Sequence, residues 1–436
     1  MEPEPPTVRD SILIMEKPSL NVEQRPTGYA WLVVAILFFA AALNQLDRSM
    51  VATMRLSIRS SIPMTDAQFG LLSSALLWAY GFMNPVAGYL ADKFSRVKVI
   101  LISLLSWSLI TLITSRVTTF SQLLICRIAL GISEACYLPA ALALIMDYHR
   151  GKTQSRATGF HQSGLVLGAS LGFLGSLMAT THNDWSYAFV ICGIIGVVYT
   201  VFAFFTLKEA PKVPVAQAAV QKPVQEKVSL GQAIKHLFTN KAFIYLSIFW
   251  GIVGILAQVE GSWLPTYYNE AFGLPETKAG MLATLFLNPW QIVGLLLGGW
   301  IADRWSKTNK YARINIPIIG ICIAAPAAFF AGYSVVLWMA VGFMVVYGIS
   351  RMFVDTNLMP IIVATTDKRY RATAYGMMNM FTTVIGGLGV YVIGILRDHQ
   401  VDMRLILQVV SLTALASVVF LVLIKRSVKK KDNQNQ

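Results

Sequence analysis

The chain has 436 residues, of which 55% are hydrophobic and only 13% are charged. Soluble domains carry about 25% charged residues, so this composition excludes an ordinary soluble protein. The formal net charge of +14 could by itself suggest a nucleic-acid partner. The Lys and Arg residues, however, concentrate in alternate segments between apolar runs, which is the pattern of a membrane protein, and we expect no nucleic acid to bind.

Apolar runs that are long enough to cross a bilayer recur along the chain. We count twelve, at about 29–50, 67–92, 97–115, 119–147, 156–180, 185–207, 241–269, 279–303, 312–332, 334–365, 371–397 and 401–424. A transmembrane β-barrel would instead give short segments of alternating hydrophobicity. The sequence therefore predicts an all-α integral membrane protein with twelve transmembrane helices.

The basic residues also predict how the chain is oriented in the membrane. Lys and Arg are frequent in the N-terminal tail 1–28, at 93–98, 150–156, 208–241, 304–313 and 368–371, and in the basic tail 425–436. The connections between these segments carry few of them. The positive-inside rule then places both termini in the cytoplasm, and the polar N-terminal tail is not a signal peptide.

A central linker divides the spans six and six. Residues 208–240 begin with a polar, Pro-containing stretch and end with apolar residues at helical spacing, which predicts a short amphipathic helix on the cytoplasmic surface. The halves on either side, 29–207 and 241–424, repeat a motif at the end of their second helix. It reads Gly88-x-x-x-Asp92-x-x-x-Arg96 in the first half and Gly299-x-x-x-Asp303-x-x-x-Lys307 in the second. Such internal duplication is typical of transporters built from repeats.

The fourth span places Arg127 and Glu134 in the hydrocarbon region. A charge at mid-bilayer costs roughly 2.5–3.5 kcal/mol, and such charges usually face a bundle interior or an aqueous cavity. Seven residues are almost two helical turns, so the two side chains share one face about 10 Å apart. A guanidinium can bind a substrate carboxylate through two hydrogen bonds. The neighbouring acid then loses its partner and takes up a proton more readily. This would couple the binding of the substrate to the binding of the proton. An ion pair of Arg127 with Glu134 or Asp47, without any ligand, is the alternative.

The duplicated motif, the twelve spans and the central linker together resemble the major facilitator superfamily over nearly the whole chain. A narrower resemblance is to its anion:cation symporter family, which includes sialin-type carriers and the bacterial D-galactonate and hexuronate proton symporters. It is carried by four segments: Leu43-Asn-Gln-Leu-Asp47-Arg48, Arg127-Ile-Ala-Leu-Gly-Ile-Ser-Glu134-Ala135, Arg156-Ala-Thr-Gly-Phe160-His-Gln-Ser163 and Trp263-Leu-Pro-Thr-Tyr-Tyr268. Cys136 and Ser95 stand where the family usually has Gly.

This resemblance implies two pseudo-symmetric six-helix halves that rock about a central site by alternating access. It implies that Asp47 and Glu134 couple protons and that Arg48, Arg127 and Tyr80 bind the sugar acid. For Asp47 and Arg48 a position at the membrane interface is the alternative, as it is for Tyr80. No cofactor is expected beyond the coupling ion, which is a proton, although Na⁺ is not excluded.

Further polar residues within the spans are candidates for the same site. Gln162, Asn288, Gln291 and Asn379 are suited to sugar hydroxyls, or alternatively to helix–helix hydrogen bonds. The roles of His161 and Glu260 stay open. Gly168 and Gly172, four residues apart, suit close helix packing.

A second group of charged residues is expected to control the conformation. Arg351 and Asp355 are adjacent on one helical face, where a mutual ion pair is the first expectation. The motif residues Asp92, Arg96, Asp303 and Lys307 are expected to form charge clusters at helix ends that break when the carrier changes state.

The sequence thus predicts a secondary transporter, not an enzyme: a monomeric, multi-pass protein of the bacterial inner membrane that imports a small organic anion with protons. A sugar acid such as a hexuronate or aldonate is the expected substrate. An exporter of amphipathic lipids or drugs with the same fold is the first alternative. A membrane sensor is the second, but the cytoplasmic segments are too short and polar for a signalling domain.

Overall fold

A computed structural model describes residues 28–149, 153–210, 230–367 and 370–434, and in these ranges the chain is helical with no strand. Most of the expected N-terminal tail, the greater part of the linker and the last two residues lie outside the described ranges. The side chain of Asp92 does so as well, although its backbone belongs to a helix.

The first half contains nine helices in the described residues. In chain order they are α1 Gly28–Thr53, α2 Arg55–Ser61, α3 Asp66–Lys93, α4 Arg96–Thr114, α5 Phe120–Ala135, α6 Tyr137–Tyr148, α7 Gln154–Ser170, α8 Phe173–His182 and α9 Ser186–Thr206. Span 4 of the sequence is α5 followed by α6, and span 5 is α7 followed by α8.

The second half continues from a short helix in the linker. Its elements are α10 Leu230–Thr239, α11 Lys241–Phe272, α12 Glu276–Met281, a π-helix Leu282–Phe286, α13 Asn288–Trp305, α14 Ala312–Tyr333, α15 Leu337–Asp355, α16 Leu358–Thr365, α17 Arg371–Asp398, α18 Met403–Ala416 and α19 Val418–Gln434. The last helix runs on into the predicted basic tail as far as Gln434.

Eleven helical stretches of the described chain are long and apolar enough to cross a membrane. The remaining expected span is α3, whose 28 residues extend about 42 Å at 1.5 Å per residue. Its hydropathy is lowered by Ser73, Ser74 and Asn84, not by a break in the helix. The fold is therefore the all-helical bundle of twelve spans that the sequence predicts.

Two of the spans are interrupted at equivalent places in the two halves, which the sequence analysis did not foresee. α5 ends at Ala135, and α15 ends at Asp355 with Thr356 as its C-cap. Pro139 and Pro360 lie four residues beyond Ala135 and Thr356. A proline has no backbone N–H to donate to the carbonyl four residues earlier, and its ring clashes with that carbonyl. The breaks put Glu134 and Asp355 at helix ends.

The two halves meet through α3 and α17. The hydroxyl of Ser74 donates to the Gly387 carbonyl at 2.6 Å, and the Trp78 indole N–H donates to the Val384 carbonyl at 3.0 Å. Gly70 allows this approach, because a Cβ there would lie 2.9 Å from the Val390 carbonyl oxygen. These contacts occupy the part of α3 that is remote from the linker.

Charged residues continue the contact between the halves at the end remote from the linker, which we call the distal end. Arg55 forms ion pairs with Asp66 at 2.5 Å and with Glu270 of the other half at 3.3 Å. Glu270 also pairs with Arg397 at 2.5 Å, and Arg59 pairs with Asp66 at 2.6 Å. We call these five residues the distal ion-pair network.

Two acidic side chains reinforce the distal contact by binding backbone amides across the halves. Asp398 accepts the N–H groups of Asp66 and Ala67 at 2.7 and 3.1 Å. These are N–H groups in the first turn of α3, which lack an intrahelical partner. Glu276 accepts the N–H of Leu56 at 2.6 Å and the hydroxyl of Ser57. The polar contacts described between the halves thus hold the distal end closed.

The linker end has a short helix, α10, within the segment where the sequence predicts an amphipathic one. Leu237 is fully buried, whereas Ile234 and Phe238 are exposed. The Phe238 ring contacts Phe243 of α11 edge-on. The Asn240 amide, just beyond α10, donates to the Thr365 carbonyl at 2.8 Å, so this helix is attached to the second half.

Candidate functional site

The centre of the first half contains an ion pair between α1 and α5. Nε of Arg48 donates to Oε2 of Glu134 at 2.5 Å. The Arg48 guanidinium lies 4.2 Å from the centroid of the Tyr80 ring on α3, which is a favourable cation–π distance. The Glu134 side chain is fully buried, whereas the Arg48 side chain is 18% exposed. Arg48 is therefore the accessible member of the pair.

Glycine in the fourth span makes this arrangement possible. A Cβ on Gly131 would lie 2.5 Å from the Leu76 carbonyl oxygen and 3.2 Å from the Tyr80 amide nitrogen. Only a residue without a side chain lets α5 approach α3 so closely. The approach brings Tyr80 beside the pair that α1 and α5 form.

Asp47 and Arg127 form a second, more deeply buried layer. The Asp47 side chain, on a residue that is 3% exposed, accepts a hydrogen bond from the Thr111 hydroxyl on α4. Arg127 is 1% exposed, and its guanidinium lies 5.5 Å from the centroid of the Phe189 ring on α9. Oδ1 of Asp47 and both Nε and Nη2 of Arg127 have no hydrogen-bond partner. Their opposite charges attract each other across this layer.

The structure thus pairs the charges of the fourth span differently from the sequence expectation. Glu134 forms its ion pair with Arg48, not with Arg127 on its own helix. The sequence spacing does place both on one face, but Arg127 is directed towards Phe189 of α9 while Glu134 meets α1. The four charged residues are two guanidinium groups and two carboxylates, so the cluster is formally neutral. The predicted roles of all four, and of Tyr80, stay predictions.

A second polar cluster lies between α11, α13 and α15 of the second half. The Gln291 amide nitrogen donates to Glu260 Oε1 at 2.7 Å, and Glu260 is 8% exposed. Tyr347, fully buried, lies beside Glu260. Arg351 and Asp355 form the expected pair at 3.1 Å. The Gln291 side chain is therefore hydrogen-bonded to an acid of a neighbouring helix and is not a free polar group of the bundle interior.

The other predicted polar residues are not hydrogen-bonded to the Arg48–Glu134 pair in the described structure. Gln162 is exposed on α7, and Asn288 and Asn379 are half-buried on α13 and α17. His161 is fully buried, and its Nε2 lies 3.1 Å from the Tyr137 hydroxyl. That hydroxyl also donates to the Leu37 carbonyl at 2.6 Å, so His161 belongs to the packing of α1, α6 and α7.

The motif residues at the linker end form pairs within each half. Arg96 forms an ion pair with Asp147 and donates to the Ala143 carbonyl at 3.2 Å, so it joins α4 to α6. Asp303 pairs with Arg313 at 2.8 Å, and Lys307 is exposed. Nothing is described of the Asp92 side chain. Control of the conformation by these residues stays a prediction.

Sequence reasoning missed three side chains of these clusters: Thr111, Phe189 and Tyr347. Each is one of several polar or aromatic residues within a long apolar span, and such residues are common in membrane helices without any special function. Only the packing of α4, α9 and α15 against their neighbours reveals them. The distal ion-pair network was also missed, because its members come from segments far apart in the chain.

The fold and the buried charges agree with the comparisons to known proteins. The chain belongs to the Major Facilitator Superfamily, whose family model matches residues 37–390. It is therefore a multi-pass membrane transporter and not an enzyme. The resemblance to this superfamily that was inferred from the sequence motifs is confirmed.

Relatives within the superfamily carry two kinds of names. "Protein spinster homolog 1" of Xenopus tropicalis is 27% identical in an alignment of 388 positions, gaps included, that covers 84% of this chain and 73% of that protein. "Probable galactarate/D-glucarate transporter GudP" of Bacillus subtilis (strain 168) is 25% identical in an alignment of 451 positions, gaps included, that covers 96% of this chain and 97% of that protein.

A solved structure supports the fold. It is that of a bacterial homologue of the human lysosomal transporter spinster, in an inward-facing and occupied conformation. It superimposes with a TM-score of 0.74 at 21% identity and covers 93% of this chain and 97% of that one.

Proposed function

We propose that the protein imports a sugar acid together with protons across the bacterial inner membrane, as a monomer and by alternating access. The observation that carries this proposal is the Arg48–Glu134 ion pair, in which the partly exposed guanidinium and the buried carboxylate share one hydrogen bond. An anionic substrate and the Glu134 carboxylate compete for the same cation. A carboxylate that loses its partner in a buried place takes up a proton to avoid an isolated charge.

The competition explains how the two ligands are coupled. When a substrate carboxylate binds Arg48, Glu134 becomes protonated, and the proton and the substrate move together. The Tyr80 ring supports the Arg48 guanidinium from its face and offers a hydroxyl to the substrate. Behind the pair lie one further acid, Asp47, and one further base, Arg127. Both carry polar atoms that have no hydrogen-bond partner.

The closed distal end supports an inward-facing state. In the predicted orientation the linker end faces the cytoplasm, so the site would release substrate there. The name of the galactarate/D-glucarate relative supports a sugar acid as the substrate class. We expect a dicarboxylate to be preferred over a neutral sugar, because a neutral sugar offers no charge to Arg48.

Export of an amphipathic molecule is the second candidate function. Tyr375 of α17, which is 43% exposed, lies near Tyr80, so its ring offers apolar surface close to Arg48. An amphipathic molecule would place its apolar part against this ring while Arg48 holds an anionic head group. The spinster relatives match this chain about as well as the sugar-acid relative does, so the comparisons do not favour one class.

A thermal-shift screen of the purified protein separates the two candidates. A ligand that binds the folded state raises the unfolding temperature by mass action. We expect D-glucarate, galactarate, D-galactonate or a hexuronate to stabilise the protein, and D-glucose and D-galactose to have no effect. Arg48→Gln should abolish the stabilisation. Stabilisation by neutral sugars, or only by single-chain anionic lipids, would contradict the sugar-acid proposal.

A further inference from the structure

The charges buried in the middle of the two halves are balanced differently. The first half places Arg48 and Arg127 with Asp47 and Glu134, so each acid has a base. In the second half Glu260 and Asp355 share a single cation, Arg351, and Arg351 hydrogen-bonds Asp355 at 3.1 Å. Glu260 is left without a cation of its own among the described residues.

The immediate partners of Glu260 are neutral. One oxygen accepts the Gln291 amide at 2.7 Å. The Tyr347 hydroxyl lies beside the carboxyl group, but it forms no hydrogen bond of standard geometry and is fully buried. The other charged or titratable groups that face Glu260 are Arg351 and Asp355 of α15, and Tyr268 of α11.

We propose that Glu260 is a second proton-binding site, and that the second half carries this proton independently of Asp47 and Glu134. A protonated Glu260 keeps both neutral contacts: Oε1 accepts from Gln291, and the acid O–H can donate to the oxygen of Tyr347, which has no partner of standard geometry. An ionised Glu260 can accept from the Gln291 amide and the Tyr347 hydroxyl, but it would be a buried charge without an ion pair of its own, because Arg351 is bonded to Asp355, and this is unfavourable at this depth.

The donor set favours a proton over a metal cation. A hard cation binds a shell of several oxygen atoms, whereas Gln291 presents its amide nitrogen to Glu260. The neighbouring guanidinium of Arg351 would also repel a metal ion. A proton needs only one carboxylate oxygen to bind, and Glu260 supplies it.

The position of Glu260 suggests how its proton takes part in transport. α11, α13 and α15 all belong to the second half, so a tilt of one half against the other can change the access of water to Glu260 without breaking its bond to Gln291. Release of this proton on one side would then add one proton per cycle to those that the first half carries. This part of the inference rests on the proposed function, whereas protonation of Glu260 does not.

Infrared spectroscopy of the purified protein tests protonation without any substrate. A protonated carboxyl group has a C=O stretching band that a carboxylate lacks. We expect the wild type at neutral pH to show a band that Glu260→Gln removes, by the intensity of one carboxyl group. Asp303→Asn is the control, because Asp303 is exposed, pairs with Arg313 at the linker end of α13 and contributes no such band. Glu260→Asp keeps a carboxyl group and should restore the band, which guards against a loss caused by misfolding.

Two outcomes would overturn the proposal. An unchanged band in Glu260→Gln would mean that Glu260 is ionised in the wild type. Disappearance of the band when sodium chloride replaces choline chloride would mean that Na⁺, not a proton, occupies the site. If D-glucarate is transported in proteoliposomes, Glu260→Gln should lower the number of protons moved per substrate by one. If D-glucarate is not taken up, the infrared result on the protonation of Glu260 is unaffected, because that measurement uses no substrate.

Discussion

At the scale of single residues, Arg48 and Arg127 differ in what they can reach. Arg48 keeps 18% of its side chain exposed and shares its hydrogen bond with Glu134, so a ligand can replace an existing partner. Arg127 is buried beside Phe189 and needs a movement of α9 or α1 before a solute can approach. We therefore expect Arg48 to make the first contact with a substrate.

Glu134→Gln is expected to abolish proton-driven uptake but to spare exchange. The amide cannot bind or release a proton, so the gradient no longer drives accumulation, while Arg48 still binds the substrate. The measurement is uptake of labelled D-glucarate into proteoliposomes with a pH gradient, compared with exchange against internal unlabelled D-glucarate. Glu209→Gln is the control and should behave like the wild type, because Oε1 of Glu209 only accepts the Ser95 hydroxyl and the Val97 N–H at the linker end, bonds that an amide oxygen can keep. Full accumulation by Glu134→Gln would remove this residue from coupling.

Arg48→Ala is expected to lower the thermal unfolding temperature, and a second change, Glu134→Gln, to recover most of the loss. Removal of one partner of a buried ion pair leaves the other charge uncompensated, at a cost of about 3–5 kcal/mol, unless that group takes up a proton. We therefore expect the recovery at alkaline pH, where Glu134 stays ionised, and a smaller one at acidic pH, where Glu134 is protonated once Arg48 is removed. The comparison uses unfolding midpoints of the single and double variants in the same detergent at both pH values. Equal midpoints of Arg48→Ala and the double variant at alkaline pH would show that Glu134 keeps no charge without Arg48.

At the scale of helices, small residues decide how closely neighbouring spans pack. A Cβ on Gly168 of α7 would lie 2.1 Å from the Ala42 carbonyl oxygen on α1, and one on Gly164 would lie 2.4 Å from the Phe38 carbonyl oxygen. The close packing predicted for Gly168 is confirmed. This contact fixes the position of α1, and with it the position of Asp47 and Arg48.

Gly168→Ala should therefore destabilise the protein by about 1–3 kcal/mol, the usual cost of overpacking. Gly159→Ala on the same helix is the matched control, since a Cβ at Gly159 meets nothing within 4 Å. Alanine favours a helix over glycine by about 1 kcal/mol, so this control should be neutral or slightly stabilised. Unfolding midpoints check both. An unchanged unfolding midpoint in Gly168→Ala would mean that α1 and α7 can move apart without a loss of stability.

At the scale of the whole molecule, the distal ion-pair network and α3 and α17 join two halves, each of which has its own polar cluster: Arg48 with Glu134 in the first and Glu260 with Gln291 in the second. The Thr180 hydroxyl on α8 lies 3.0 Å from the Thr277 hydroxyl on α12, so a second contact between the halves lies at the same end. Alternating access requires all these contacts to open together.

A disulfide between cysteines at positions 180 and 277 is expected to stop transport. The side chains of Thr180→Cys and Thr277→Cys are close enough for a disulfide, which would lock the distal end closed. Uptake should be lost after mild oxidation and return after reduction, and each single variant serves as the control. Glu270→Gln breaks two ion pairs of the distal network and should slow the formation of this disulfide. Full uptake by the cross-linked protein would show that the distal end need not open.

The sequence by itself determined the twelve-span helical fold and the presence of costly charges in it. The length of an apolar run and the free-energy cost of a charge in hydrocarbon are local properties. Both can be assessed one segment at a time. The ion pair of Arg351 with Asp355 was equally predictable, because both residues lie on adjacent turns of one helix.

Only the tertiary structure decided which charges meet. Arg127 and Glu134 share a helix face, yet Glu134 binds Arg48, because the long Arg48 side chain reaches it from α1 while Arg127 turns towards Phe189 of α9. The same holds for Glu260, whose partners Gln291 and Tyr347 come from two other helices. Contacts between helices depend on how whole surfaces fit together, and a periodic pattern within one helix does not contain that information.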